Sequence, residues 1–254
     1  MNQLRHILKT MRPRQWPKNV FVFAALVFDR QLIAPESLLI TSFAFILFCL
    51  ASSLVYIIND LTDIESDRLH PQKRHRPLAS GKLTQRAALI SIILLAILVF
   101  PASFIIDVGL GLIVSAYFLL MLAYSLWLKH VALIDVMIIA AGFVLRVAAG
   151  VVIIETQRFS PWLFVATTFL ALFIGLGKRR AEIYLLQTEA GFHRRVLDGY
   201  TLELLDQLLT IVMAATLMTY CLYTFSAEIT PGNHSMMLTI PFVIYGLFRY
   251  LYLI

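Results

Sequence analysis

The chain is poor in charged residues and in cysteine, and each shortage excludes a class of protein. Only 14% of its 254 residues are charged and 60% are hydrophobic, which is far from the balance of a soluble domain. Its two cysteines, Cys49 and Cys221, both lie inside apolar runs, where a small buried side chain is the ordinary role. A disulfide framework or a redox motif is therefore not supported. The composition indicates an integral membrane protein.

The apolar residues are gathered into runs close to the roughly 20 residues that a membrane-spanning helix needs. We count eight such runs: 16–33, 38–58, 87–106, 109–128, 132–154, 161–176, 208–225 and 236–254. The sequence therefore predicts an all-α, polytopic transmembrane helical bundle. We expect a single domain over residues 1–254, with polar motif loops at about 59–86 and 177–206.

The basic residues predict how the bundle is oriented. With a cytoplasmic amino terminus, most of the 21 Lys and Arg residues fall in cytoplasmic segments. The exceptions are Arg30 and Arg158 outside, Arg146 within a helix and Arg249 near the end. This positive-inside bias predicts a multi-pass protein of the inner (cytoplasmic) membrane, with the lipid bilayer as a partner.

A row of carboxylates follows the second apolar run. At about 100° per residue, Asn59, Asp60, Asp63 and Asp67 share one narrow arc of a helix, whereas Glu65 faces away. Carboxylates on one face repel one another unless a cation neutralises them, and hard oxygen ligands suit Mg²⁺ bound to phosphates. The row therefore predicts a metal-phosphate site. A solvated acidic start of a helix is the alternative interpretation.

A cationic stretch comes directly after the acidic row. Lys73, Arg74 and Arg76 can grip a phosphorylated substrate while a metal holds it from the acidic side. The alternative for each of these residues is simply the positive-inside topology. The second polar segment carries Lys178 and Arg179, with Glu182 four residues after Lys178. A plain ion pair between Lys178 and Glu182 is the alternative there.

Single residues near or within the apolar runs are further candidates. Arg146 lies deep in the fifth run, where a charged side chain is costly and is by default a functional hypothesis. Asp135 is too far along the same helix to contact it directly, so we predict that Arg146 is a phosphate ligand. Lys18 is expected to act likewise. Tyr124 and Lys129 end the fourth run and can reach substrate, although Tyr124 also fits an interfacial aromatic belt.

Three motifs together resemble the UbiA superfamily of intramembrane prenyltransferases over essentially the whole chain. They are Asn59-Asp60-x-x-Asp63-x-x-x-Asp67, Lys73-Arg74-x-Arg76-Pro77-x-Ala79-Ser80-Gly81, and Tyr124-Ser125 with Lys129. The resemblance implies a bundle of nine helices, an apolar tunnel for a lipid, and Asp-rich motifs that hold Mg²⁺ against a diphosphate. It implies that Asn59, Asp60, Asp63 and Asp67 are metal ligands, with Asp60 and Asp63 catalytic. Since we count eight runs, we expect the ninth helix to be missing from this chain.

One departure points to a branch of that family. Where a second Asp-rich motif is usual, this chain has Gly175-Leu176-Gly177-Lys178-Arg179-Arg180-Ala181-Glu182. With Arg12-Pro13-x-Gln15-Trp16-x-Lys18-Asn19 and Gly142-Phe143-x-x-Arg146, the pattern resembles the decaprenyl-phosphate phosphoribosyltransferase branch. That resemblance implies Mg²⁺-dependent transfer of 5-phosphoribose from 5-phosphoribose 1-diphosphate to a polyprenyl phosphate, releasing diphosphate. The substrate-binding residues would be Lys18, Asn19, Lys73, Arg74, Arg76, Tyr124, Lys129, Arg146, Lys178, Arg179 and Glu182.

Two other interpretations stay open. A prenyltransferase that uses an aromatic acceptor would need a second metal motif, for which Asp198 and Asp206 are poorly spaced. A transporter should concentrate its charges near the bilayer midplane, whereas most charge here lies in two polar segments. The isoprenoid length, the number of Mg²⁺ ions and the formation of a homo-oligomer are left open, and no nucleic-acid partner is expected.

Overall fold

The computed structural model describes residues 2–29, 31–154, 161–188, 195–226 and 235–254, which contain helices joined by turns and loops, and no strand. The α-helices in these ranges are α1 (Asn2–Thr10), α2 (Ala24–Phe28), α3 (Pro35–Thr62), α4 (Ile64–Leu69), α5 (Gln85–Ile106), α6 (Val108–Leu126), α7 (Ile134–Ile153), α8 (Pro161–Thr188), α9 (Leu202–Ser226) and α10 (Ile240–Leu253). Short 3-10 helices cover Pro13–Phe23, Lys73–His75, Leu128–His130, Arg195–Gly199 and Ser235–Thr239.

Seven helical segments in the described ranges are long and apolar enough to cross a membrane. They are Pro35–Thr62, Gln85–Ile106, Val108–Leu126, Ile134–Ile153, Pro161–Leu185, Leu202–Phe225 and Met236–Leu253. Each meets the length that a helical span requires. The expectation of an all-α, polytopic membrane protein is therefore confirmed.

The prediction of a membrane-spanning helix over residues 16–33 is wrong. Most of its residues lie in the 3-10 helix Pro13–Phe23 and in the five-residue α2, and neither is a membrane-spanning α-helix. Pro17 lies inside the 3-10 segment, and proline both lacks an N–H and clashes with the preceding turn of an α-helix. The described part of the chain thus has seven candidate spans rather than eight. Arg30, Arg158 and Arg194 lie outside the described residues.

The chain forms two compact units. Unit 1 comprises Met1–Leu126 and Leu145–Arg158, and unit 2 comprises Trp127–Val144 and Phe159–Ile254. Helix α7 contributes residues to both. The single domain over 1–254 stays a prediction.

In unit 1, α3 packs against α5, α6 and the 3-10 helix Pro13–Phe23. Phe48, Leu26 and Val99 are fully buried in the resulting core. Gly150 on α7 lies so close to the 3-10 helix that an added Cβ would come within 2.1 Å of the Val22 carbonyl oxygen. Only a residue without a side chain permits this approach, which brings the part of α7 in unit 1 alongside Asn19.

In unit 2, α8 and α9 pack along their lengths. Phe173 and Leu205 are buried between them, and α10 adds Leu247 to the same core. Helix α8 runs on to Thr188, so the first part of the polar loop predicted at 177–206 is helical. Lys178, Arg179 and Glu182 therefore project from one rigid element.

Candidate active site

The acidic row lies at the junction of α3 and α4, and the break at Asp63 is slight. The Asp63 N–H donates to the Asn59 carbonyl at 3.0 Å, and the Asp67 N–H donates to the Asp63 carbonyl at 2.8 Å. Helical spacing thus continues across the junction. Asp60 and Asp67 are buried while Glu65 is exposed, which is the division of faces that the predicted arc requires.

Two arginines neutralise the buried carboxylates. The Arg76 Nη1 donates to Asp60 Oδ1 at 3.1 Å and to Asp67 Oδ2 at 2.7 Å, while the Arg12 Nη2 donates to Asp60 Oδ1 at 2.5 Å. Both carboxylates are 2% exposed, and a carboxylate at that depth is costly without such partners. We call Asp60, Asp67, Arg12 and Arg76 the Asp60 cluster.

The hydrophobic packing beneath the Asp60 cluster explains its burial. Ile57 and Ile64 flank Asp60 in sequence and enter a core that also contains Met11 and Leu78. The segment that carries Arg12 and the segment that carries Arg76 are thereby packed against the acidic helix. Unit 1 thus assembles this cluster from three separate stretches of its chain.

The other two predicted metal ligands flank this cluster in sequence. The Asn59 Oδ1 accepts a hydrogen bond from the Ser125 hydroxyl, and Asp63 is half-buried. No group of three or more His, Cys, Asp or Glu side chains close enough to hold a metal is found among the described residues. The four-residue ligand set of Asn59, Asp60, Asp63 and Asp67 therefore stays a prediction.

Arg12 lies in one of the sequence motifs but was not predicted to bind metal or substrate. Its backbone is left-handed, with φ 54° and ψ 61°, a conformation that costs free energy for a residue with a side chain. The following Pro13 disfavours the right-handed helical conformation at this position. The guanidinium also lies over the Tyr56 ring, 4.7 Å from its centroid. The backbone and the aromatic ring together direct Arg12 toward Asp60.

Arg146 and Asn19, both predicted to bind substrate, are brought together in unit 1. The Arg146 Nε donates to Asn19 Oδ1 at 2.7 Å, and its Nη2 donates to the Tyr117 hydroxyl at 2.9 Å. Asn19 in turn donates to Cys49 Sγ at 3.3 Å. Arg146 is only 7% exposed, and its role as a phosphate ligand stays a prediction. No sequence signal singled out Tyr117.

Unit 2 holds a second buried charge pair. The Arg179 Nε donates to Asp135 Oδ2 at 2.7 Å, and its Nη1 donates to Glu182 Oε2 at 2.6 Å. The Tyr200 hydroxyl donates to Asp135 Oδ1 at 2.6 Å and accepts from the Leu133 N–H at 2.7 Å. We call Asp135, Arg179, Glu182, Tyr200 and Leu133 the Asp135 cluster.

The chemistry of the Asp135 cluster keeps Tyr200 protonated. Burial raises the pKa of the Tyr200 hydroxyl above its ordinary value, and the hydrogen bond to Asp135 raises it further. A proton held in this way makes Tyr200 a permanent donor to the carboxylate. Leu133 has a left-handed φ of 67°, so Tyr200 also fixes a strained backbone at the start of α7.

The remaining predicted residues lie at more open positions. Lys178 is 70% exposed, and its Nζ lies 4.0 Å from Glu182 Oε1. Lys73 and Arg74 are exposed on the 3-10 helix Lys73–His75, and Lys18 is exposed as well. Tyr124 and Lys129 are half-buried. Their roles in binding substrate stay predictions.

Comparison with known proteins gives concordant matches. The UbiA prenyltransferase family matches residues 19–181. A decaprenyl-phosphate phosphoribosyltransferase of Mycolicibacterium smegmatis is 35% identical over 89% of this chain and 72% of the relative. One of Mycobacterium tuberculosis is 33% identical over 98% of this chain and 83% of the relative. A solved UbiA homologue from Archaeoglobus fulgidus, bound to DMAPP and Mg²⁺, shares the fold with a TM-score of 0.76 and 19% identity, covering 98% of this chain and 86% of that one.

Proposed function

The chain belongs to the UbiA prenyltransferase family, and we propose that it transfers 5-phosphoribose from 5-phosphoribose 1-diphosphate to a polyprenyl phosphate. Diphosphate is the second product. The relatives that match most of the chain at 33–35% identity are named for decaprenyl phosphate as the acceptor, which supports this pair of substrates. The reaction would take place at the cytoplasmic face of the inner membrane, with the amino terminus cytoplasmic.

The observation that carries the proposal is the bridging position of Arg76. One guanidinium nitrogen lies within hydrogen-bond distance of both Asp60 and Asp67. A cationic group is therefore already held between two carboxylates, and these carboxylates, Asp60 and Asp67, are residues that would hold a divalent ion. Together with Asn59 and Asp63, these residues offer the hard oxygen donors that Mg²⁺ prefers, and the Mg²⁺ in the Archaeoglobus homologue supports the same choice.

The proposed reaction needs many cationic contacts, because it brings together a diphosphate, a sugar phosphate and a lipid phosphate. Bound Mg²⁺ would supply stabilisation of the charge that builds on the departing diphosphate. We assign the lipid phosphate and the 5-phosphate to basic residues, with Lys73, Arg74, Lys129, Arg146 and Lys178 as the candidates. Lys18, Asn19 and Tyr124 would position the substrates, whereas Arg179 and Glu182, which belong to the Asp135 cluster, would act indirectly by fixing the part of α8 that carries Lys178.

The bonds that break and form in the proposed transfer determine how these residues would contribute to it. The bond between the ribose C1 and the diphosphate oxygen breaks, the ribose gains oxocarbenium character, and a lipid phosphate oxygen forms the new bond to C1. The nucleophile is already an anion, so no general base is required. The residues act by orienting the two anions and balancing their charge, and these effects carry most of the rate.

The test supplies both candidate substrate pairs to the purified chain in lipid. One reaction contains 5-phosphoribose 1-diphosphate labelled in its 5-phosphate, a polyprenyl phosphate and Mg²⁺; the other contains a polyprenyl diphosphate with an aromatic acceptor. We expect label to enter the lipid phase in the first, with one diphosphate released per lipid formed. Product in the second reaction alone would contradict the proposal and would favour the prenyltransferase alternative. Omission of Mg²⁺ is the control.

A further inference from the structure

We propose that Arg12 and Arg76 are internal counter-ions which a divalent cation must displace from Asp60 and Asp67, and that the displaced guanidiniums then bind the diphosphate. This inference rests on the metal-diphosphate site of the proposed function and adds a regulation of that site. Its consequence is that the cation and the diphosphate bind cooperatively, each weakly alone and more tightly with the other.

The contacts place the guanidiniums and a metal ion in direct competition. Asp60 Oδ1 accepts hydrogen bonds from both Arg12 and Arg76, and Arg76 also holds Asp67. A cation that coordinates Asp60 Oδ1 or Asp67 Oδ2 has to break at least one charge-assisted hydrogen bond, each of which is roughly twice as strong as a neutral one. A cation on the other oxygen of either carboxylate still competes with the guanidiniums, because it places a second positive charge beside them.

The charge balance then links the cation to an anion. Two carboxylates and two guanidiniums make the Asp60 cluster neutral as it stands. A divalent ion added alone would leave excess positive charge beside buried groups, where it is screened less than at the surface. A diphosphate that arrives with the ion restores the balance, because the released guanidiniums are strong bidentate ligands for phosphate.

The arginines have the access that such an exchange needs. The Arg12 side chain is 28% exposed and that of Arg76 is 25% exposed, although the carboxylates they hold are almost fully buried. Arg12 has a second attachment in the Tyr56 ring, a cation–π contact that does not depend on Asp60. Its guanidinium can therefore leave the carboxylate and still be held over the site.

The experiment measures the coupling directly in the full chain. The purified protein in lipid nanodiscs is dialysed to equilibrium against radioactive Mn²⁺, with free Mn²⁺ fixed by a metal buffer, in the presence and absence of inorganic diphosphate. For the native chain we expect diphosphate to tighten Mn²⁺ binding about tenfold, within the usual range of coupling between two ligands. Equal Mn²⁺ binding with and without diphosphate would overturn the proposal without any variant being made.

A matched pair of variants identifies the residue responsible. Arg12→Asn removes one counter-ion, and asparagine tolerates the left-handed backbone at this position. We expect Arg12→Asn to bind Mn²⁺ alone about threefold to tenfold more tightly and to lose most of the enhancement by diphosphate. Arg14→Asn, the same change at an exposed arginine two residues away, should behave like the native chain.

The opposite result for Arg12→Asn would also overturn the proposal. Weaker binding of Mn²⁺ alone would mean that Arg12 supports the carboxylates as metal ligands rather than competing for them. Neither measurement depends on turnover. A chain that shows the coupling but transfers no phosphoribose would refute the proposed substrates and leave the counter-ion exchange standing.

Discussion

The Asp60 cluster and the Asp135 cluster both pair aspartate carboxylates with arginine guanidiniums, but they differ in how far the arginines are exposed to solvent. In the Asp60 cluster the arginines are about one-quarter exposed and the carboxylates are buried. In the Asp135 cluster the Arg179 side chain is 3% exposed and Asp135 is 0% exposed. Asp135 is also held by the neutral Tyr200 hydroxyl, which in turn binds a backbone N–H. The first arrangement permits exchange of partners, whereas the second fixes the start of α7.

An aspartate paired with an arginine therefore does not by itself mark a catalytic site. A buried pair that is hydrogen-bonded to the backbone holds the local structure in one conformation, and removing one partner weakens the compensation of the remaining charge. A pair whose cation reaches solvent can trade that cation for another. Substitutions in the Asp60 cluster should therefore affect turnover, whereas substitutions in the Asp135 cluster should affect folding.

The largest expected effect is on turnover through the Asp60 cluster. Asp60→Asn removes the charge of a proposed metal ligand, and we expect transfer of phosphoribose to fall about a thousandfold, comparable to the loss of a main stabilising group in other sites. Asp63→Asn should have a similar effect. The rate of lipid labelling measures both, and the amount of protein in the membrane should not change. Glu65→Gln, on the exposed face of the same helix, is the control; ordinary turnover in both aspartate variants would remove the metal assignment.

Asp135→Asn should act on stability instead. It removes the buried carboxylate from Arg179, which keeps only the partly exposed Glu182 as an ionic partner, and the free energy of unfolding should fall by about 3 kcal/mol, the lower end for a broken buried pair. Thermal unfolding of the purified protein in lipid measures this change. Below the unfolding transition, the folded fraction should transfer phosphoribose at a rate within severalfold of the native one. An unchanged unfolding transition with turnover lost would reverse the assignment of roles.

Tyr200→Phe should produce a smaller loss of stability. The phenylalanine ring keeps the packing but removes both the donor to Asp135 and the acceptor of the Leu133 N–H. Leaving those buried groups unpaired should cost about 1–3 kcal/mol in the free energy of unfolding. Tyr245→Phe, at a tyrosine that is 70% exposed, is the matched control. Equal unfolding transitions for the two variants would show that Tyr200 does not hold the cluster together.

Lys178→Gln should have the smallest effect on folding. Lys178 is mostly exposed and 4.0 Å from Glu182, so their ion pair contributes at most about 0.5 kcal/mol to stability. If Lys178 binds the sugar phosphate, KM for 5-phosphoribose 1-diphosphate should rise about tenfold while kcat changes little, since a charge-assisted hydrogen bond is lost. Arg14→Gln serves as the exposed control. An unchanged KM would show that Lys178 does not bind the substrate and forms only a surface ion pair with Glu182.

The helical spacing of the sequence was enough to identify the inner face of the acidic row. Asp60 and Asp67 are buried and Glu65 is exposed because a local period of 3.6 residues determines all three positions. Arg76 was also predicted to join this site, and it contacts both carboxylates. Asn19 and Arg146 were both predicted to bind substrate, and the structure shows that they contact each other.

The contacts that could not be predicted from the sequence join residues that are distant in sequence or depend on backbone strain. Arg12 and Asp60 are 48 residues apart, and Tyr200 and Asp135 are 65 residues apart. Such pairs follow from packing of whole helices, to which local periodicity is blind. The predicted first span failed for a different reason. Its hydrophobic composition suited a membrane helix, but Pro17 and the pairing of Asn19 with Arg146 favour a tight 3-10 segment in unit 1.

The most direct test of exchange at the Asp60 cluster is a crystal structure of the protein with Mn²⁺ and diphosphate, using anomalous scattering at the manganese edge. We expect an anomalous peak between Asp60 and Asp67, with the Arg12 and Arg76 guanidiniums turned onto the phosphates and Arg179 still bound to Asp135. A manganese peak elsewhere, with Arg12 and Arg76 still on the two carboxylates, would contradict the exchange.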